Sequence, residues 1–228
     1  MRKPWHKSDP SVFDHLKGEL SKKYPDLAVI ATTDDVRLRG SFPVLHEETE
    51  LARFQIEILI PSDFPDSIPL VREIAGRVPH AVDWHTYNKG ALCVIVPEEW
   101  LLNPKRTSLM AFLEGPLRNY FLNHALAECG MKRPMGERSH GSLGLLEAYG
   151  EWFGSNELRV VRAYLNCLSK EMLRGHWDCP CGSGVRLRKC HFSKLMELQK
   201  QIPVWIAAKA LKRLDDQIER ERAGSFSK

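Results

Sequence analysis

The run Trp177–Phe192, WDCPCGSGVRLRKCHF, constrains this 228-residue chain more than any other stretch. It holds three cysteines and a histidine but few apolar side chains. So short a segment has little core of its own and relies on a bound metal for its fold. Cys179, Cys181, Cys190 and His191 offer three thiolates and one imidazole. That set suits tetrahedral Zn2+, because soft sulfur ligands favour it and four ligands close its shell. A closed shell leaves no position for water, so the expected zinc is structural. Gly182-Ser183-Gly184 lets the backbone fold tightly round the ion, and His176 is a substitute fourth ligand.

A second constraint lies upstream in His80–Trp100, HAVDWHTYNKGALCVIVPEEW. Cys93 follows a turn-rich segment, Tyr87-Asn88-Lys89-Gly90, and leads an apolar piece that Pro97 stops. Asn and Gly let the backbone take tight, positive-φ turns, so a thiol there is more accessible than one inside a helix or strand. His80 and His85 stand nearby. A nucleophilic cysteine needs a thiolate-favouring neighbourhood and donors for a developing oxyanion. His80, His85, Asn88 and Lys89 supply such groups. For each histidine the alternative is a structural hydrogen bond, and Asn88 and Gly90 can equally be turn-formers. Trp84 and Trp100 are expected to wall the site. Cys129 and Cys167 are expected to be buried and inert.

The pattern around these stretches predicts an α+β fold. Ser11–Tyr24 has helical spacing at Val12, Phe13, Leu16 and Leu20, with Ser11 or Asp9 able to cap it and Pro25 ending it. Leu27–Thr33, Val36–Val44, Leu51–Ile60 and Leu70–Ile74 read as an antiparallel meander of four strands. Thr107-Ser108 is a helix N-cap, and Gly115-Pro116 must interrupt the helical run that follows. Gly130–Gly144 reads as a mobile loop, Asn156–Arg174 as a helix, and 192–222 as a long helix broken or bent at Pro203. The expected divisions are residues 1–128, 129–174 and 175–228.

Charge is uneven. Residues 1–170 carry 21 Lys+Arg against 22 Asp+Glu, and residues 171–228 carry 12 against 7. The basic tail fits contact with nucleic acid or an acidic partner, but a solvated helix face explains it as well and is preferred. Neither nucleic acid nor membrane is an expected partner. The first residues contain no apolar run, so a signal peptide is not expected, and six cysteines are too few for a disulfide scaffold. A cytosolic location is expected.

Two resemblances sharpen this picture. Cys-Pro-Cys-Gly-Ser-Gly, five residues, then Cys-His resembles the SEC-C zinc motif at the C-terminus of the bacterial translocation ATPase, appended to many other bacterial proteins. Over roughly residues 10–125 the order of signals resembles the ubiquitin-conjugating enzyme fold: a helix, a four-stranded antiparallel meander, a cysteine-bearing loop, then helices. Phe64-Pro65-Asp66-Ser67-Ile68-Pro69 is similar to that family's aromatic-Pro-x-x-x-Pro turn. His85 to Cys93, with Gly90-Ala91-Leu92-Cys93, is similar to its His…Gly-x-aliphatic-Cys segment. Trp100…Pro104…Thr107 is similar to its Trp-x-Pro-x-x-Thr approach to the next helix. The family's His-Pro-Asn triplet is absent: His85-Thr86-Tyr87-Asn88 stands instead, with Asn88 closer to the cysteine.

These departures resemble the divergent conjugating-like proteins of antiphage operons, notably the short type II systems of cyclic-oligonucleotide antiphage signalling. That resemblance implies an acyl transferase with Cys93 as thioester-forming residue, His80 or His85 orienting the thiol or taking a proton, and Asn88 donating to the oxyanion. It implies a carrier protein with a reactive C-terminus, such as a cGAS-like nucleotidyltransferase, and a target lysine; the need for a separate activating enzyme stays open. A non-catalytic adaptor using the same fold and zinc module is the alternative, and a cysteine hydrolase ranks last for want of an orienting residue.

Overall fold

The computed structural model describes residues 3–81, 84–86, 90–131 and 141–225. The chain divides into two compact units, Met1–Glu137 and Arg138–Lys228. Among the described residues no helix is long and apolar enough to cross a membrane.

The first unit opens with a single turn, α1 (Trp5–Ser8), then α2 (Pro10–Lys23). Of the two candidate caps it is Asp9 that closes α2. Its carboxylate accepts from Ser11 N and Val12 N, both at 3.2 Å, and Pro10 sits where no amide donor is missed. Phe13, Leu16 and Leu20 form the buried face of α2.

Four antiparallel strands follow in sequence order: β1 (Leu27–Ala31), β2 (Val36–His46), β3 (Thr49–Ile60) and β4 (Leu70–Glu73). This is the meander that period-2 alternation predicts. The central hairpin runs longer than expected, because Glu47 and Glu48 both take positive φ and turn the chain in two residues. Val36, Leu38, Phe42 and Val44 of β2 share the buried face with Phe54, Ile56, Ile58 and Ile60 of β3. Gly40 lets β1 and β2 close: a Cβ there would sit 1.9 Å from the carbonyl oxygen of Asp26.

Beyond the thiol loop come α3 (Pro97–Leu102) and α4 (Leu109–Phe112), the latter capped by Ser108, whose Oγ accepts from Ala111 N at 3.1 Å. The expected interruption at Gly115-Pro116 takes the form of one π-helical turn, Leu113–Leu117. It absorbs the proline without ending the run, which continues as α5 (Arg118–Glu128). Phe121 of α5 stacks on Phe54 at 4.5 Å, and Tyr24 stacks on Phe42 at 5.2 Å, binding sheet to helices. Each such fully buried aromatic is worth about 1.5–3 kcal/mol. Trp100 is buried in this core against Phe112, 5.5 Å between rings.

Cys129 is exposed, contrary to expectation. It is the C-cap of α5, three and four residues past the buried Leu126 and Ala125, where the helix has already ended.

The second unit is helical. Its α6 (Gly141–Phe153) occupies part of what the glycines suggest is a loop; Leu146, Tyr149 and Phe153 make a buried stripe at helical spacing that outweighs the glycine cost. Residues 132–140 of that loop lie outside the described residues. The next helix, α7 (Leu158–Leu168), is shorter than the periodicity suggests and stops before an exposed Met172. A 3-10 turn, Leu187–Lys189, leads into α8 (Phe192–Gln201) and α9 (Val204–Ser225). Of the break or bend expected at Pro203 the chain takes the break, since Ile202 adopts an extended conformation before the proline. Buried Ile206, Ala207, Ala210 and Leu214 are the inward side of α9.

Candidate functional site

In the second unit, the strongest sequence expectation maps onto one point. The ligand atoms of Cys179, Cys181, Cys190 and His191 all lie within 4.8 Å of one another, so the cluster could hold a metal ion. His191 Nδ1 is 3.2 Å from both Cys179 Sγ and Cys190 Sγ, and Cys181 Sγ is 3.7 Å from Cys190 Sγ. A tetrahedral ion with sulfur ligands at about 2.3 Å would set adjacent sulfurs about 3.8 Å apart, close to what is seen. His176, the substitute ligand, is exposed and not part of the cluster.

The local fold explains the convergence. Asp178 pairs with Arg186 in a β-bridge, Cys179 N donates to Val185 O at 3.0 Å, and Gly182 N donates to Cys179 O at 3.1 Å. Gly182 and Gly184 take φ of 79° and 74°, a conformation that would strain an L side chain. The 3-10 turn buries Leu187 and brings Cys190 and His191 back to the first two cysteines. Burial pushes the Cys179 thiol up to about 11, whereas hydrogen bonding with the Ser183 hydroxyl at 3.3 Å brings Cys181 down to about 6. A bound dication would override both influences and hold the thiolates deprotonated.

The thiol loop belongs to the first unit and is built onto the edge of the sheet. Beside β4, Ala91 bridges Arg72, and Leu92 N donates to Val71 O at 2.8 Å. Thr86 bridges Leu92, and Cys93 N donates to His85 O at 2.7 Å. Cys93 is half-buried. His85 takes a φ of 52°, a conformation that costs a non-glycine residue free energy and persists only when its surroundings fix it. The His80 ring lies over Gly90: a Cβ on Gly90 would be 3.1 Å from His80 Cε1. His80, His85 and Cys93 are thus assembled in one loop cluster, His85 through its backbone carbonyl and His80 through its ring against Gly90. Asn88 and Lys89 lie outside the described residues.

Several supports went unread in the sequence. Glu73 is buried, and its carboxylate accepts from the amides of Ala75 (3.0 Å), Arg77 (2.8 Å) and Val78 (3.4 Å), shaping the chain that leads to His80. A signal existed: in β4, LVRE, period 2 puts Glu73 on the same inward face as Val71. Tyr120 donates its hydroxyl to Trp84 O at 2.7 Å, and buried His124 packs against both rings, 4.4 Å from Tyr120 and 5.0 Å from Trp84. Thr86 Oγ1 donates to Pro79 O at 3.0 Å. Trp84, Val94 and Ile95 pack on the core, so both flanks of the loop are stapled to it.

No family model, curated protein or solved structure matches this chain.

Proposed function

We propose that the chain is a ubiquitin-conjugating-like acyl transferase acting in bacterial antiphage defence, with structural Zn2+ on Cys179, Cys181, Cys190 and His191. The observation that carries the reading is the antiparallel meander running into a loop in which Cys93 is hydrogen-bonded to the backbone of His85 beside β4. Thiolate-rich tetrahedral ligation favours zinc over harder divalent ions.

In the proposed reaction the Cys93 thiolate attacks the activated C-terminal carboxyl carbon of a carrier protein. An Sγ–C bond forms and the group that activates that carboxyl departs. A lysine amine of the target then attacks the same carbon. The Sγ–C bond breaks, an amide forms, and the amine's proton passes to His80 or His85. Asn88 would donate to the oxyanion on the way. A cGAS-like nucleotidyltransferase is the carrier this reading favours, in the cytosol. The test is to mix the protein with candidate carrier and activating partners and run a non-reducing gel. A carrier adduct labile to thiols and lost in Cys93→Ala is expected; no such band would sink the catalytic reading.

One observation favours an adaptor as the second reading. A groove of about 340 Å3 runs between α2, the Ser62–Pro65 turn and Thr107–Met110, lined by Trp5, Val12, Leu16, Phe64 and Met110, and would take a partner protein's apolar side chains. Partner regulation left intact by Cys93→Ala would decide for it.

A further inference from the structure

A groove of about 500 Å3 runs beside the metal cluster in the second unit, between one face of α7 and the cysteine hairpin. Its floor is apolar: Val160, Ala163, Cys167, Trp177 and Pro180 line it. Its rim carries Arg159, Asn166 and Lys170, all exposed. Arg159 and Asn166 stand two turns apart on α7, about 10 Å along its axis, and Lys170 lies just past the helix end. One acidic residue, Asp178, also lines the groove, but Arg186 holds it at 2.9 Å.

The surroundings extend the same sign. Residues 170–194 carry six Lys and Arg against two Asp and Glu. Arg174, Arg188 and Lys189 are exposed and form no ion pair among the described residues. Arg188 packs over Gly175, where a Cβ would meet its own Cβ at 3.0 Å, so it stands next to Arg174. Arg159 pairs with Glu157 at 2.9 Å, but both side chains are mostly exposed, and such a pair is readily exchanged for a phosphate.

We propose that this groove receives a single strand of nucleic acid, one base stacked on Trp177 and adjacent phosphates on Lys170 and Arg159. Every base offers a face to an indole, and a strand without a partner leaves that face accessible. The ligand's chemistry follows from the rim. A peptide backbone brings as many amide donors as acceptors, whereas the rim is led by the cationic donors of Lys170 and Arg159. A sugar-phosphate backbone brings acceptors, which match the ammonium, guanidinium and amide donors of Lys170, Arg159 and Asn166. Guanidinium groups add planar contacts that suit phosphate oxygens and bases alike. On composition alone the tail's charge is set down to a solvated helix face. Its collection beside a base-sized groove with an aromatic wall is what a solvated face does not explain. The proposal is independent of Cys93 chemistry.

The test is fluorescence anisotropy of the metal-loaded full chain with labelled oligo(U) and oligo(dT) of about 12 nucleotides. Binding is expected at about 50 mM salt, and for about three phosphate contacts the log–log salt slope should be near −2. Lys170→Glu should weaken binding about tenfold and flatten that slope; Trp177→Leu should weaken it about tenfold without changing the slope. Metal content, measured on each variant, confirms that the hairpin is intact, and exposed Lys170 gives a readout even if Trp177→Leu loses its metal. Absence of binding at low salt overturns the proposal. So does equal affinity in metal-loaded Lys170→Glu, or displacement by poly-glutamate as effective as by unlabelled oligonucleotide, which would assign the groove to an acidic protein.

Discussion

Gly90 offers a sharp probe of the thiol loop, because one methyl group there tests both backbone and ring geometry. Its φ is 73°. An L residue held in that left-handed region pays about 1–2 kcal/mol. Replacing glycine by alanine returns about 0.4–1 kcal/mol by narrowing the unfolded ensemble. Strain alone therefore leaves Gly90→Ala about 1 kcal/mol less stable. The methyl also arrives 3.1 Å from Cε1 and 3.3 Å from Nε2 of His80, so the ring must move aside by a few tenths of an ångström. That displacement should add a coupling of about 0.5–1 kcal/mol, which vanishes when His80 is already alanine. The assay is a double-mutant cycle of Gly90→Ala and His80→Ala, read by thermal unfolding. The single substitution should lower Tm by roughly 5 °C, and the same substitution in the His80→Ala background by visibly less. A cost identical in the two backgrounds would mean that the imidazole does not rest on Gly90, and the geometry assigned to His80 would fall with it.

Other outcomes follow from the same physical arguments. Gly40→Ala should destabilise the first unit by about 2 kcal/mol or more, seen as a drop in Tm, since the new Cβ meets backbone that cannot swing away. Metal analysis should find about one zinc per chain, and chelation or Cys190→Ser should abolish hydrogen-exchange protection in Asp178–His191 while leaving α2 and the sheet protected. Glu73→Gln should cost about 1–3 kcal/mol by equilibrium unfolding, because the amide keeps one acceptor oxygen and turns its other side into a donor facing backbone N–H groups. Burial raises the Cys167 pKa, so its thiol stays protonated in the folded chain at neutral pH; alkylation mapped by mass spectrometry should lag well behind exposed Cys129 and catch up only on unfolding.

How legible these features were depended on how local their causes are. The sheet could be read because Val36, Leu38, Phe54, Ile56, Ile58 and Ile60 alternate along their own strands and need no partner to declare a face. The metal cluster could be read because all four ligands lie within one short hairpin whose glycines set the turn. Helix α6 was obscured because Gly141, Gly144 and Gly150 interrupt the stripe made by Leu146, Tyr149 and Phe153, and local propensity gave way to burial. The surroundings of Cys93 were the least legible. His80 meets Gly90 ten positions on, Glu73 reaches forward to a loop, and Tyr120 reaches back 36 residues to Trp84. No spacing rule along the chain encodes such contacts; they exist only once the sheet and α5 are in place.

The carboxylate of Glu73 has a mechanical consequence. Glu73 fixes the chain leaving β4, and Val71, two residues earlier, fixes its return through Leu92. Both anchors therefore sit on one short stretch of a single strand, like two feet of an arch on the same stone. Between those feet the span is tied again, at Trp84 to Tyr120 and His124 and at Thr86 to Leu92. A change at His85 or Thr86 is therefore passed directly to Cys93, through the His85 carbonyl and the Thr86–Leu92 bridge, while the two feet on β4 hold their place.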